Sequence, residues 1–221
     1  MNKMLKVSGV AVLLLTVFAA PGFGQNPEID YLGYAWETGG YPPSDVGDEL
    51  IIVGVSNLID AIFGYDLNIG EVTFHIFDLI STGGVDVGGG TEMVMYSGGT
   101  MEIYFDTSYN ADWGIDPPNA TSPSTFNDGL LLFRGAFTSM TMFYDADGNG
   151  AFEGYLDGLA GEFLEDLCSD CAYTWGGSFT RNSGAQIPDG YDLQIDGIFE
   201  LDGAVANEES TWGGVKSLYG N

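Results

Sequence analysis

The residues best suited to chemistry are Asp145, Asp147, Asn149 and Glu153, in the stretch DADGNGAFE. Oxygen-bearing side chains at positions 1, 3, 5 and 9, with Gly150 at position 6, follow much of an EF-hand calcium loop. The agreement stops at position 12, where the bidentate acid should stand. That position is Leu156, and the nearest acid, Asp157, comes one residue late. The preceding TSMTMFY is rich in Thr and aromatic residues and reads as a strand, not as an entering helix. Asp-Gly and Asn-Gly favour tight turns with positive φ, so the string predicts a β-hairpin instead. Its tip is either a plain turn or a weak Ca²⁺ site on these four residues, with affinity on the order of 10⁻⁴–10⁻³ M. No other cofactor is expected.

Cys168 and Cys171 form a C-x-x-C. A redox pair needs a stabilised thiolate, but Glu165, Asp166 and Asp170 surround these thiols with negative charge, which raises a thiol pKa. A zinc site would want two more ligands, and His75 is the single histidine. A small structural disulfide, Cys168–Cys171, is the expectation. His75 sits in EVTFHIFDL, sharing a strand face with Thr73, Phe77 and Leu79, and is read as a packing residue. Gly-x-Ser-x-Gly is absent, and the Gly clusters TGGVDVGGG and YSGGT lack the lysine and following helix of a phosphate loop, so they read as turns. Trp36, Trp113, Trp175 and Trp212 are candidates for a sugar platform. The loop from Asp106 to Asp128 gathers Asn110, Asp112, Asp116, Asn119 and Asn127 and is the place for a second cation or ligand site. The chain is expected not to be an enzyme. A carboxylate-based glycoside hydrolase is the remote alternative, since no local signature marks any pair among 32 acids.

The charge balance narrows the partners. Five basic and 32 acidic residues give a net charge of −27. Such a surface repels nucleic acid and anionic lipid, so neither is expected as a partner. Residues 1–24 read as a signal peptide: Lys3 and Lys6 precede an apolar run from Val7 to Ala20, and Gly22 and Gly24 precede Gln25. The run is too short to span a bilayer, so no membrane span is expected after cleavage, and the mature chain is placed outside the cytoplasmic membrane, secreted, extracellular or periplasmic.

The elements that must position these groups are strands. TMEIYFD sets Met101, Ile103 and Phe105 against Glu102, Tyr104 and Asp106, and YDLQIDG alternates in the same way. Strands are predicted over 29–36, 49–56, 70–80, 91–96, 100–106, 129–144, 151–159, 172–179 and 191–201, with Gly135 and Gly197 as bulges or bends and short helical turns within 57–63 and 159–167. The fold class is all-β and antiparallel, a β-sandwich or, alternatively, a β-barrel, in a single domain over 25–206 with a C-terminal tail over 207–221.

The stretch SGGTMEIYFDTSYNADWGIDPPNATSPSTFNDGLLLFRGAFTSMTMFYDADGNGAFEGYL resembles a segment of uncharacterised exported bacterial β-rich proteins, including ones sorted by PEP-CTERM anchors. The likeness spans residues 97–203 and rests on strand–turn texture and the NADWG…PPNAT…F.DG loop. It implies an extracellular bacterial protein and no particular activity. The closing Pro-Glu-Pro, transmembrane helix and basic tail of the anchored proteins are not found, so anchoring by that route is not expected. The function expected is a secreted or cell-surface structural or adhesive β-domain with a cell-surface or matrix partner. The alternative is an extracellular module binding a glycan or small apolar ligand.

Overall fold

Period-two alternation sends every second side chain to one face, and here that face closes on itself. The computed structural model describes residues 26–113, 122–167, 171–181 and 187–202. The predicted signal peptide (1–24) and the predicted C-terminal tail (207–221) lie outside them. Among the described residues nine strands form in chain order: β1 (Glu28–Glu37), β2 (Glu49–Ile59), β3 (Glu71–Ser81), β4 (Val85–Gly88), β5 (Thr91–Asp106), β6 (Leu130–Asp145), β7 (Gly150–Ala160), β8 (Ala172–Thr180) and β9 (Leu193–Asp202). All pairings are antiparallel. β9 pairs with β1, and β3 pairs with β5 past the short β4, so eight strands close into a barrel with β4 outside the ring. The all-β antiparallel expectation holds. Of the two arrangements, the chain takes the barrel and not the sandwich, because the ladder runs unbroken round the ring and leaves none of its eight strands with a free edge.

Several local expectations change with the register. The predicted strands 91–96 and 100–106 are one strand, β5, bent at Gly98 and Gly99 (φ 72° and 100°). VDVG, read as part of a turn, is β4. Leu79 does not share His75's face: β3 bulges around Asp78 (φ 60°), where its register against β2 shifts between Leu50 and Ile52, and this turns Leu79 into the core. Gly135 lies at a register shift as expected, but Gly197 sits in a regular ladder. Glycine is required there by close approach, since a Cβ would lie 2.1 Å from the Gly176 carbonyl oxygen. The helical turns shrink to a 3₁₀ turn at Ala61–Phe63 and to α1 (Glu162–Asp166). Among the described residues no helix is long and apolar enough to cross a membrane.

The barrel interior is filled with aromatic side chains. Trp175 of β8 is fully buried, stacked on Phe152 at 4.3 Å and on Tyr31 at 5.7 Å, with Phe137 edge-on at 6.0 Å. Phe133, Tyr173 and Phe199 continue the packing towards α1. Such pairs contribute about 0.5–1.5 kcal/mol each beyond the area they bury. Glu153, Asp157 and Asp196, on the alternate positions of β7 and β9, are exposed. A second, smaller cluster forms on the outside of β1 and β2, where Tyr34 and Val53 pack with Phe126, Trp113 and Tyr191. It fastens the segments around residues 113 and 126 to the wall.

Candidate functional site

The predicted calcium residues occupy the β6–β7 hairpin tip, and the hairpin forms as expected. The Asp145 N–H donates to the Asn149 carbonyl at 2.9 Å, and the Gly148 N–H donates to the Asp145 carbonyl at 3.0 Å. Oδ1 of Asp145 accepts the N–H groups of Asp147 (2.9 Å) and Asn149 (3.0 Å), so this oxygen holds the turn together from inside. Oδ1 of Asn149 accepts from the Thr180 hydroxyl and the Arg181 N–H, both at 2.9 Å, tying the tip to the end of β8. Glu153 stands apart on β7, accepting from the Tyr155 hydroxyl at 2.7 Å. Asp145 and Asn149 are therefore brought together, while Glu153 is not. Among the described residues no group of three or more His, Cys, Asp or Glu side chains is placed to hold a metal ion.

The more unusual chemistry lies in the neighbouring barrel mouth. The β1–β2 connection, residues 38–48, folds over this end as a lid. Tyr41 reaches across the opening to Tyr144 of β6 (5.2 Å between rings) and Phe179 of β8 (6.1 Å), with both Tyr41-Pro42 and Pro42-Pro43 cis. Beneath it Glu37, the last residue of β1, points inward and is 4% exposed. Its Oε1 accepts from the Ser44 hydroxyl at 2.8 Å and from the Tyr96 hydroxyl in a shorter bond, and Ser44 meets Ser81 at 2.7 Å. Its Oε2 has no hydrogen-bond partner, nor has the hydroxyl of Tyr41, which is 3% exposed. Burial is the dominant influence on Glu37 and raises its pKa to about 7. The Tyr96 and Ser44 hydroxyls oppose that rise, and the charges of Asp48 and Asp192 add to it. Asp192, just before β9, holds the end of β1 beneath the lid, its Oδ2 accepting the Glu37 N–H at 3.0 Å, and its own pKa is raised by burial.

Sequence reasoning did not single out Glu37. The signal was present: Ile29, Tyr31, Gly33 and Ala35 define the inward row of β1, and Glu37 is the next position in it. An acid in an apolar row marks a carboxylate forced inside the wall.

The other singled-out residues scatter. His75, on the outer wall, stacks on Phe77 at 4.8 Å, its Nδ1 is without a hydrogen-bond partner and its pKa is lowered, chiefly by burial. Its cross-strand neighbour Glu102 accepts from Arg134 at 2.6 Å and from the Tyr104 hydroxyl at 2.7 Å. The three described tryptophans make no common platform: Trp175 is inside the barrel, and Trp36 and Trp113 belong to the outer cluster, while Trp212 lies outside the described residues. In the Asp106–Asp128 loop, Asp116 and Asn119 also fall outside, whereas the Asn110 and Ala111 N–H groups donate to Glu71 and the Asn110 side chain donates to Asp128. Cys168 is outside the described residues. Cys171 is at the core's edge, 9% exposed, and no free cysteine occurs among them. A depression of about 370 Å³ opens on the outer wall over Gly176, rimmed by Glu153, Thr174, Ile198 and Glu200. No family model, curated protein or solved structure matches this chain.

Proposed function

We propose that this is an exported, secreted or cell-surface β-barrel domain with a structural or adhesive task and no catalytic one. The observation that carries the reading is the filled lumen. An eight-stranded barrel either fills its interior with side chains or keeps a cavity for one small ligand. Here Trp175, Phe152, Tyr31 and Phe137 occupy the middle of the lumen. The outward acids Glu153, Asp157 and Asp196 support a wall that faces water, since a lipid-facing barrel carries an apolar outer band. The leader-like residues 1–24 support export, and an oxidising compartment suits the Cys168–Cys171 disulfide. At the β6–β7 tip the amides already held by Asp145 favour the plain turn over calcium. The test is retention of the purified mature chain on the surface of the cells that make it, alongside a glycan array and a panel of fatty acids. Surface retention with no ligand tighter than millimolar supports the reading, and micromolar binding of a fatty acid overturns it.

A second reading rests on the groove over Gly176. At about 370 Å³ it falls within the range of small-ligand sites, and its hydroxyl and carboxylate rim (Thr174, Glu153, Glu200) suits sugar hydroxyls. Micromolar binding of a glycan that is lost in Thr174→Ala favours this module, and an empty glycan array removes it.

A further inference from the structure

The groups at the covered mouth combine a buried acid, a lid that crosses the opening, and two polar atoms with no partner. Desolvating a carboxylate is costly unless a charge or hydrogen bonds compensate it. Glu37 has two hydroxyl donors, both on Oε1, and nothing on Oε2. From the lid it is faced by Tyr41 and Asp48, from β5 by Tyr96, and from just before β9 by Asp192. Tyr144 of β6, whose hydroxyl donates to Glu92 at 2.7 Å, lies beyond Tyr41, as does Asp145. Among the described residues Arg181 acts on this set through Asp192, and none of the influences on Glu37 is a positive charge. The lid is held shut by the Gly47 N–H to the Ser81 carbonyl and the Gly84 N–H to the Ser44 carbonyl, both at 3.0 Å, by the Ser81 N–H to the Asp48 carbonyl at 2.8 Å and by the hydroxyl contacts of Ser44, while Thr38 pairs with Glu49 at its base.

We infer that residues 38–48 form a proton-operated lid, held shut over the barrel mouth when Glu37 is neutral and released when it ionises. The neutral carboxyl adds an O–H donor and no buried charge, so the closed mouth tolerates it. The ionised group is better accommodated by water, and opening admits water to it. The closed form therefore binds the proton more tightly than the open one. Closure is strongest below the ordinary carboxylate range, weakens as pH rises, and levels off once the closed-form carboxyl has itself ionised near neutrality. Asp192, also shifted upward, acts in the same direction but from a lower starting value. The part of the fall that Glu37 causes ends near neutrality, where its closed-form carboxyl ionises.

Hydrogen exchange of the full mature chain tests this, comparing the Gly47 and Gly84 amides with those of β8 and correcting for intrinsic base catalysis. Lid protection is expected to fall roughly 70-fold relative to β8 between pH 5 and 8. In Glu37→Gln that relative fall should vanish between pH 6 and 8. A wild-type lid that keeps constant relative protection overturns the proposal, and so does a fall that persists in Glu37→Gln. Should the variant not fold, the wild-type Glu37 carboxyl ¹³C resonance decides. It is expected to titrate near pH 7 together with the lid amides, and a midpoint below pH 5 overturns the lid.

Discussion

The hydroxyl of Ser44 donates to Oε1 of Glu37 at 2.8 Å, joining the middle of the β1–β2 connection to the last residue of β1. Tyr96 donates to the same oxygen, so both hydroxyls serve one side of the carboxyl. This one-sided solvation makes global stability depend on pH. With its folded value near 7 and its unfolded value near 4.5, Glu37 leaves stability highest at acid pH and lowers it as pH rises between the two, by about 3 kcal/mol in all. Urea unfolding at half-unit pH steps should show that decline in the wild type and lose most of it in Glu37→Gln. A wild-type curve that rises from pH 5 to 7 contradicts the assignment.

Trp175 stacks between Phe152 and Tyr31 at the barrel centre, and its removal leaves a cavity the surrounding wall cannot collapse into. Trp175→Ala should cost about 3–5 kcal/mol, measured by chemical denaturation, with Trp175→Phe well below that. A cost under about 1 kcal/mol for the alanine would show that the lumen is not packed as described.

Gly197 of β9 pairs with Gly177 and lies one register position from Gly176 of β8, and the two differ in what a methyl group would meet. At Gly197 it would sit 2.1 Å from a backbone oxygen, whereas at Gly176 the nearest atom is 3.3 Å away. Gly197→Ala should therefore destabilise by about 1–3 kcal/mol or more, and Gly176→Ala by much less. Equal melting temperatures for the two variants would refute the inward and outward placement of these positions.

Asp145 accepts two amides of its own turn. Asp145→Ala should cost about 0.5–1.5 kcal/mol, since the two amides it releases are exposed and turn to water, and the cost should be the same in calcium and in chelator. Wild-type melting temperature should not move with several millimolar Ca²⁺. A clear upward shift that disappears in Asp145→Ala would restore the calcium reading of this tip.

Strand content was legible because alternation is a local signal: Met101 and Ile103, and likewise Leu193 and Ile195, point inward as their spacing requires. Ring closure was not legible, because it depends on β1 meeting β9 and β3 meeting β5 across β4, pairings without a short-range sequence cue. Bulges hid more. Asp78, with positive φ and no glycine to announce it, reverses the faces beyond it, so Leu79 was placed on the wrong side. The hairpin at Asp145 was readable from turn chemistry alone. Glu37 was readable in principle, as an acid in an inward row, but its importance depends on a lid whose path no periodicity describes.

The closure of β9 on β1 has a consequence for how the domain is presented. Asn26 donates to Asp202 at 2.6 Å, and the Leu201 N–H donates to the Pro27 carbonyl, so the chain enters and leaves the barrel side by side. Both points lie at the α1 rim, the pole opposite Tyr41. Anything that holds the molecule through either flank will therefore orient it the same way, with the Tyr41 pole held outermost and met first by the surroundings.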